Sequence, residues 1–137
     1  ETPTGLRSWC TDCCAQEHKE RMETKEGKAK KMYDTAKSKN PERILLTKEE
    51  WVALFMRLWD EQEGRCPKTG WAFTLTQGAE DAHTNPYAPC FDRIDSGGKY
   101  EPGNIQLVCC WYNLAKSDRS EDFMQEACAA VVATAGN

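Results

Sequence analysis

Three polar residues stand where chemistry could use them. Asp92 lies inside a short stretch, Phe91 to Ile94, with strand character. Asn104 ends the turn Glu101-Pro102-Gly103-Asn104, and Asn113 falls in the first turns of a helix, beside Tyr112 and Leu114. A carboxylate and an amide oxygen converging from a strand and a packed helix make a hard, oxygen-rich site. Such a site suits Mg2+ or Mn2+ and leaves positions for water and phosphate. Each residue alone also has a plain structural reading. A strand Asp can partner a buried Arg, and an Asn after Gly103 can simply close a turn.

The elements that must position these residues follow from local pattern. Phe91 to Ile94 and Ile105 to Cys109 (IQLVC) read as two strands around the turns Asp95-Ser96-Gly97-Gly98 and Glu101–Asn104, with a short helix from Trp111 to Lys116. Ser120, followed by Glu121 and Asp122, caps a last helix to about Ala135. Upstream, Thr11 to Lys39 is rich in Lys, Glu, Ala and Met and reads as a long polar helix broken at Gly27 and ended by Asn40-Pro41. Thr47 and Glu50 form a capping box. Trp51, Leu54, Phe55, Leu58 and Trp59 then recur at helical spacing as an apolar stripe, and Gly64 closes that helix. Trp71 to Thr76 (WAFTLT) has the composition of a strand, and 76–89 that of a polar loop.

The chain has 137 residues, 39% hydrophobic and 29% charged, enough for one domain with its own core. No apolar run is long enough to span a bilayer, so no membrane partner is expected. Glu1 opens the chain without an initiator Met, as in a trimmed chain or a fragment, and the first residues lack a signal-peptide core. The net charge of −4 hides an asymmetry. Ten Lys/Arg face six Asp/Glu between positions 16 and 48, whereas seven face fourteen from position 49 onward. A basic segment joined to an acidic body fits a phosphate-contacting arm beside a metal site, or equally a solvated helix of mixed charge. Eight cysteines invite a disulfide or zinc reading, but three cluster at 10, 13 and 14 and two are adjacent at 109 and 110. That spacing favours free thiols in a reducing compartment, hence a cytoplasmic location.

The string PCFDRIDSGGKYEPGNIQLVCCWYNLAKSD resembles the ββα-metal core of HNH endonucleases, especially small phage-borne ones, and CPKTGWAF and NPYAP resemble the lead-in of that group. The likeness covers about Cys66 to Asp118. It implies an α+β fold: a ββα-metal core of hairpin plus short helix, flanked by a long basic N-terminal helix, a middle amphipathic helix and a C-terminal helix. It implies a single nuclease domain over 1–137, with 1–46 as a basic helical arm and 47–137 as the body. The expected activity is phosphodiester hydrolysis in double-stranded DNA, by nicking or double-strand cleavage, with one Mg2+ or Mn2+ held by Asp92 and Asn113. Asn104 would brace the hairpin. Lys28, Lys30, Lys31, Lys37, Lys39 and Lys116 would contact nucleic acid. The variants Asp92→Ala and Asn113→Ala are each expected to lose cleavage while staying folded.

Two departures stand out. The family's general base is a His after the metal-binding Asp, and here that place holds Arg93. A guanidinium cannot take a proton near neutral pH but can clamp phosphate. The base must then come from elsewhere: His83 has the right intrinsic pKa, and Tyr87 and Lys68 are the other candidates. Many HNH proteins also hold structural zinc with two Cys-x-x-Cys pairs. Cys66 and Cys109 occupy the leading positions, but Thr69 and Tyr112 replace the trailing ones. Two thiolates are no structural zinc site, so zinc is not favoured here. Cys10-x-x-Cys13 is at most half of another. Rival readings are a catalytically weak or inactive HNH-like DNA-binding module and a secreted, disulfide-stapled interaction protein.

Overall fold

A computed structural model describes residues 24–75 and 85–136. The early cysteines, the expected helix before Thr24, most of the loop after Leu75 and His83 lie outside them. Among the described residues the protein is α+β, with four α-helices and one two-stranded antiparallel sheet.

Helix α1, Lys25–Lys39, starts where the Thr24 hydroxyl accepts the Gly27 amide at 3.0 Å. Gly27 therefore sits in the first turn as a capped residue and does not break the helix. Asn40 ends it, and Pro41 opens a 3-10 turn, Pro41–Arg43. Ala29 is buried and Met32, Tyr33 and Ala36 pack against the core. The described part of the expected arm is therefore docked along one edge, with most of its lysines outward.

Helix α2, Lys48–Glu61, carries the full capping box: the Thr47 hydroxyl accepts the Glu50 amide at 3.1 Å, and the Glu50 carboxylate accepts the Thr47 amide at 2.8 Å. The apolar stripe buries Trp51 and Phe55 and half-buries Leu54, Leu58 and Trp59. Full burial of a side chain such as Phe55 is worth about 1.5–3 kcal/mol. Gly64 takes φ +70, and a Cβ there would meet the Trp59 indole at 3.3 Å, so glycine suits this helix exit twice over.

The segment Trp71–Thr76 is not a strand over its described residues. The turn 66–70 folds it back on Gly64–Cys66, where one antiparallel bridge joins Arg65 and Ala72. Phe73 N–H then bonds Gly64 O, and Thr74 N–H bonds Tyr87 O. Its β-like composition serves to bury Phe73, and among the described residues no partner strand extends the ladder.

Strands β1, Pro89–Arg93, and β2, Ile105–Cys109, pair with Phe91 opposite Leu107 and Asp92 opposite Gln106. Strand β1 begins two residues before its apolar pattern does, because Pro89 can open a strand without donating to the ladder. Phe91 lies 4.8 Å from the Trp51 ring and 5.9 Å from Phe55, which fixes the hairpin on α2. Beyond the turn, Tyr100 gives its N–H to Arg43 O at 2.8 Å and accepts Leu45 N–H at 3.0 Å, strapping the hairpin loop to the lead-in of α2. Helix α3, Cys110–Lys116, follows β2 with no intervening loop. Ser120 caps α4, Glu121–Ala135, which buries Met124 and leaves Val131 and Val132 exposed. No helix among the described residues is long and apolar enough to cross a membrane.

Candidate functional site

Alternation along β1 sends Cys90 and Asp92 to one face of the hairpin and Phe91 and Arg93 to the other. The first face meets α3. There the Asn113 amide nitrogen donates to the Cys90 thiol at 3.1 Å, so Asn113 and Asp92 look into the same seam between hairpin and helix. Cys90 accepts as a neutral thiol: its partner Cys110 and then burial push it well above the ordinary value, outweighing the charge of Lys28. Among the described residues the Asn113 amide oxygen accepts no hydrogen bond.

Asp92 is almost fully buried, and Lys116 is entirely so. The Lys116 ammonium lies 3.0 Å from Asp92 Oδ2 and 3.4 Å from Oδ1, and it also donates to Arg93 O at 2.9 Å. Lys116 was expected to contact nucleic acid. The structure corrects this: its side chain has no exposed surface, and its ammonium neutralises Asp92. The helix places it there because Lys116 follows Asn113 by three residues, hence on the same side of α3.

A second partner of Asp92 is Gln106, directly across the ladder, which donates to Oδ2 at 2.8 Å. The same amide nitrogen donates to Glu121 Oε1 at 2.8 Å, and Lys68 reaches that oxygen at 2.9 Å. Partial burial raises the Glu121 carboxyl, but the bonds from Lys68 and Gln106 and the charges of Lys68 and Lys116 outweigh it, leaving the group below its ordinary value. Burial, with the charges of Glu121 and Asp92 adding, pushes the nearby Tyr112 hydroxyl up to about 12. Gln106 and Glu121 were not singled out from sequence. An alternating IQLVC strand gives Gln106 no more weight than any outward polar residue, and Glu121 reads as a helix-cap acid.

Asn104 braces the turn. Its oxygen accepts Asp95 N–H at 2.8 Å, and its nitrogen donates to Asp95 O at 3.1 Å and Lys99 O at 2.9 Å. Gly98 is needed beside it, since a Cβ there would come within 2.8 Å of the Asn104 amide. Arg93 leaves the seam for the opposite face, where Nη1 donates to Gly98 O at 2.7 Å and the guanidinium lies 5.6 Å from the Tyr100 ring centre. Of the base candidates, Lys68 is committed to Glu121, Tyr87 is half-exposed against Trp71, and His83 lies outside the described residues. On α1, Lys30, Lys31, Lys37 and Lys39 are exposed, while Lys28 is half-buried with its charge felt at Cys90.

Cys66, Thr69, Cys109 and Tyr112 do converge. Thr69 Oγ1 lies 3.8 Å from Cys109 Sγ. Burial raises both thiols, but at Cys66 the Thr69 hydroxyl and nearby backbone groups outweigh it and hold the thiol below its ordinary value, whereas Cys109 stays above its own. Both thiols are buried. Among the described residues, no three His, Cys, Asp or Glu side chains gather to hold a metal. For a hard cation, the seam offers Asp92 Oδ1, with only its long Lys116 contact, and the Asn113 amide oxygen. The chain matches no family model, no curated protein and no solved structure.

Proposed function

We propose that this chain is a divalent-metal-dependent DNA endonuclease of the HNH type, hydrolysing phosphodiester bonds in double-stranded DNA. The observation that carries the reading is the shared seam: Asp92 from β1 and Asn113 from α3 stand at one hairpin–helix contact of a strand–turn–strand–helix unit, Asn113 on Cys90 and Lys116 of the same helix on Asp92, held by the Asn104-braced turn. Asp92 and Asn113 would hold one Mg2+ or Mn2+. Bound there, the metal supplies charge stabilisation for the scissile phosphate and the leaving oxygen. Asn104 keeps the hairpin in register, and Arg93, turned to the Gly98–Tyr100 side of the hairpin, would meet a backbone phosphate there rather than the one at the metal. The exposed lysines of α1 hold the DNA backbone. A cytoplasmic site of action belongs to the same reading.

A second reading, an inactive DNA-binding module of the same shape, is favoured by one observation: Lys116 already neutralises Asp92 at 3.0 Å. Supercoiled plasmid incubated with Mg2+, Mn2+ or chelator separates the two. Conversion to open-circular or linear DNA that needs metal and is lost in Asn113→Ala supports the enzyme. Salt-sensitive DNA retention without any metal-dependent cleavage sinks it in favour of the binding module.

A further inference from the structure

The seam continues past Asp92 into a chain of polar side chains that the endonuclease reading does not use. Starting from Lys116 and Asp92, the chain runs on to Gln106, Glu121 and Lys68, the three unused members, with successive contacts of 3.0, 2.8, 2.8 and 2.9 Å. Two carboxylates and two ammonium groups flank one amide, so the charges balance along a chain that is buried at its Lys116–Asp92 end and partly exposed at its Glu121–Lys68 end. The Gln106 amide has two N–H donors and one carbonyl acceptor. Carboxylate oxygens on both sides take the donors, which leaves only one orientation of the amide that satisfies them. The terminal torsion of a Gln is otherwise broad. Glu121 therefore fixes how Gln106 meets Asp92, and Lys68 fixes Glu121.

The effect at Asp92 is asymmetric. Oδ2 receives both Lys116 and Gln106, whereas Oδ1 keeps only the 3.4 Å contact. Resting on the endonuclease reading above, we propose that Gln106, Glu121 and Lys68 are positioning residues that hold the Asp92 carboxylate with Oδ1 available to a divalent cation. Lys68 belongs to the turn 66–70 and Glu121 to the first turn of α4, so the relay ties that turn and the start of α4 to one carboxylate. None of the three touches substrate in this proposal; they act only through Asp92.

Mn2+ titration of the full chain, followed by electron paramagnetic resonance, reads the proposal without relying on cleavage. Gln106→Leu cuts the relay and is expected to weaken Mn2+ binding about 10–100-fold, the usual penalty for losing a residue that orients a ligand. Lys68→Met, at a partly exposed position, should weaken it in the same direction by less and keeps the test informative if Gln106→Leu does not fold. Glu121→Gln keeps an acceptor for the Gln106 amide and should recover most of the binding lost in Glu121→Ala. In cleavage, kcat should fall in these variants with the DNA KM little changed. Wild-type Mn2+ affinity in folded Gln106→Leu or in Lys68→Met overturns the positioning role and leaves the endonuclease reading standing. Absence of Mn2+ binding by the wild-type chain overturns both.

Discussion

Replacing Lys116 by Met tests whether the buried ion pair governs this seam. The ammonium has no exposed surface, its carboxylate partner is 4% exposed, and the pair closes at 3.0 Å. In Lys116→Met the aliphatic stem is kept and Asp92 is left with Gln106 as its remaining partner. Removing one member of a buried pair costs about 3–5 kcal/mol, because the other charge stays buried without compensation. A domain of this size holds about 5–15 kcal/mol in all, so the variant should lose a large fraction of it. At about 3–5 °C per kcal/mol for a chain of this length, the melting temperature should fall by roughly 10–25 °C. The same reasoning revises the expectation that Asp92→Ala stays folded, since it strands Lys116. Asp92→Asn combined with Lys116→Met removes both charges and should be less damaging than the single changes predict, with a coupling of about 0.5–3 kcal/mol. Scanning calorimetry on the wild type, both single variants and the double variant measures that coupling. If Lys116→Met melts within a few degrees of wild type and the coupling is zero, the pair does not form in solution and the reasoning is wrong.

Asn104→Ala deletes three hydrogen bonds across the turn, at about 0.5–1.5 kcal/mol each. A lowered urea midpoint with an unchanged slope checks this, and Asn104→Asp, which keeps the acceptor, should lie between. Because the Glu121 carboxyl sits below its ordinary value of 4.5, its contacts stabilise the fold above that pH and fade as pH falls through the folded value. Glu121→Gln should flatten the loss of stability seen as pH falls below 4.5, and an equally steep loss in that variant contradicts the assignment. Reversing Lys31 and Lys37 together should weaken binding to unrelated DNA sequences alike and reduce the slope of log affinity against log salt by about 0.9 per lost phosphate contact. Salt-independent binding would instead mark α1 as a solvated face.

Where local rules decide structure, the amino-acid sequence was readable. Thr47 and Glu50 announced α2 and made both bonds of the capping box, Ser120 announced α4, and Ile105–Cys109 formed a strand at its expected limits. These features depend on neighbours three or four residues away. Trp71–Thr76 misled because β propensity records fit to a pleated, half-buried surface, and the turn ending at Gly70 folded the segment onto Gly64 before any strand could join it. Lys116 misled for a related reason. A lysine near other polar residues reads as exposed until the helix phase shows that it must point where Asn113 points. Gln106 was beyond reach of sequence, since its importance lies in facing Asp92 across a ladder and Glu121 across a helix start, both set by tertiary register.

Strand β2 ends at Cys109 and α3 begins at Cys110, so the junction has zero length. The rotational phase of the helix about its own axis is thus inherited from the pleat of the strand. One inserted residue at this point would turn everything beyond it by about 100° and advance it about 1.5 Å. Asn113 and Lys116 would swing away together from a hairpin that itself remained intact. The seam is thus as sensitive to a change in length as to the loss of its charges, and its two sides are kept in phase by the absence of a loop.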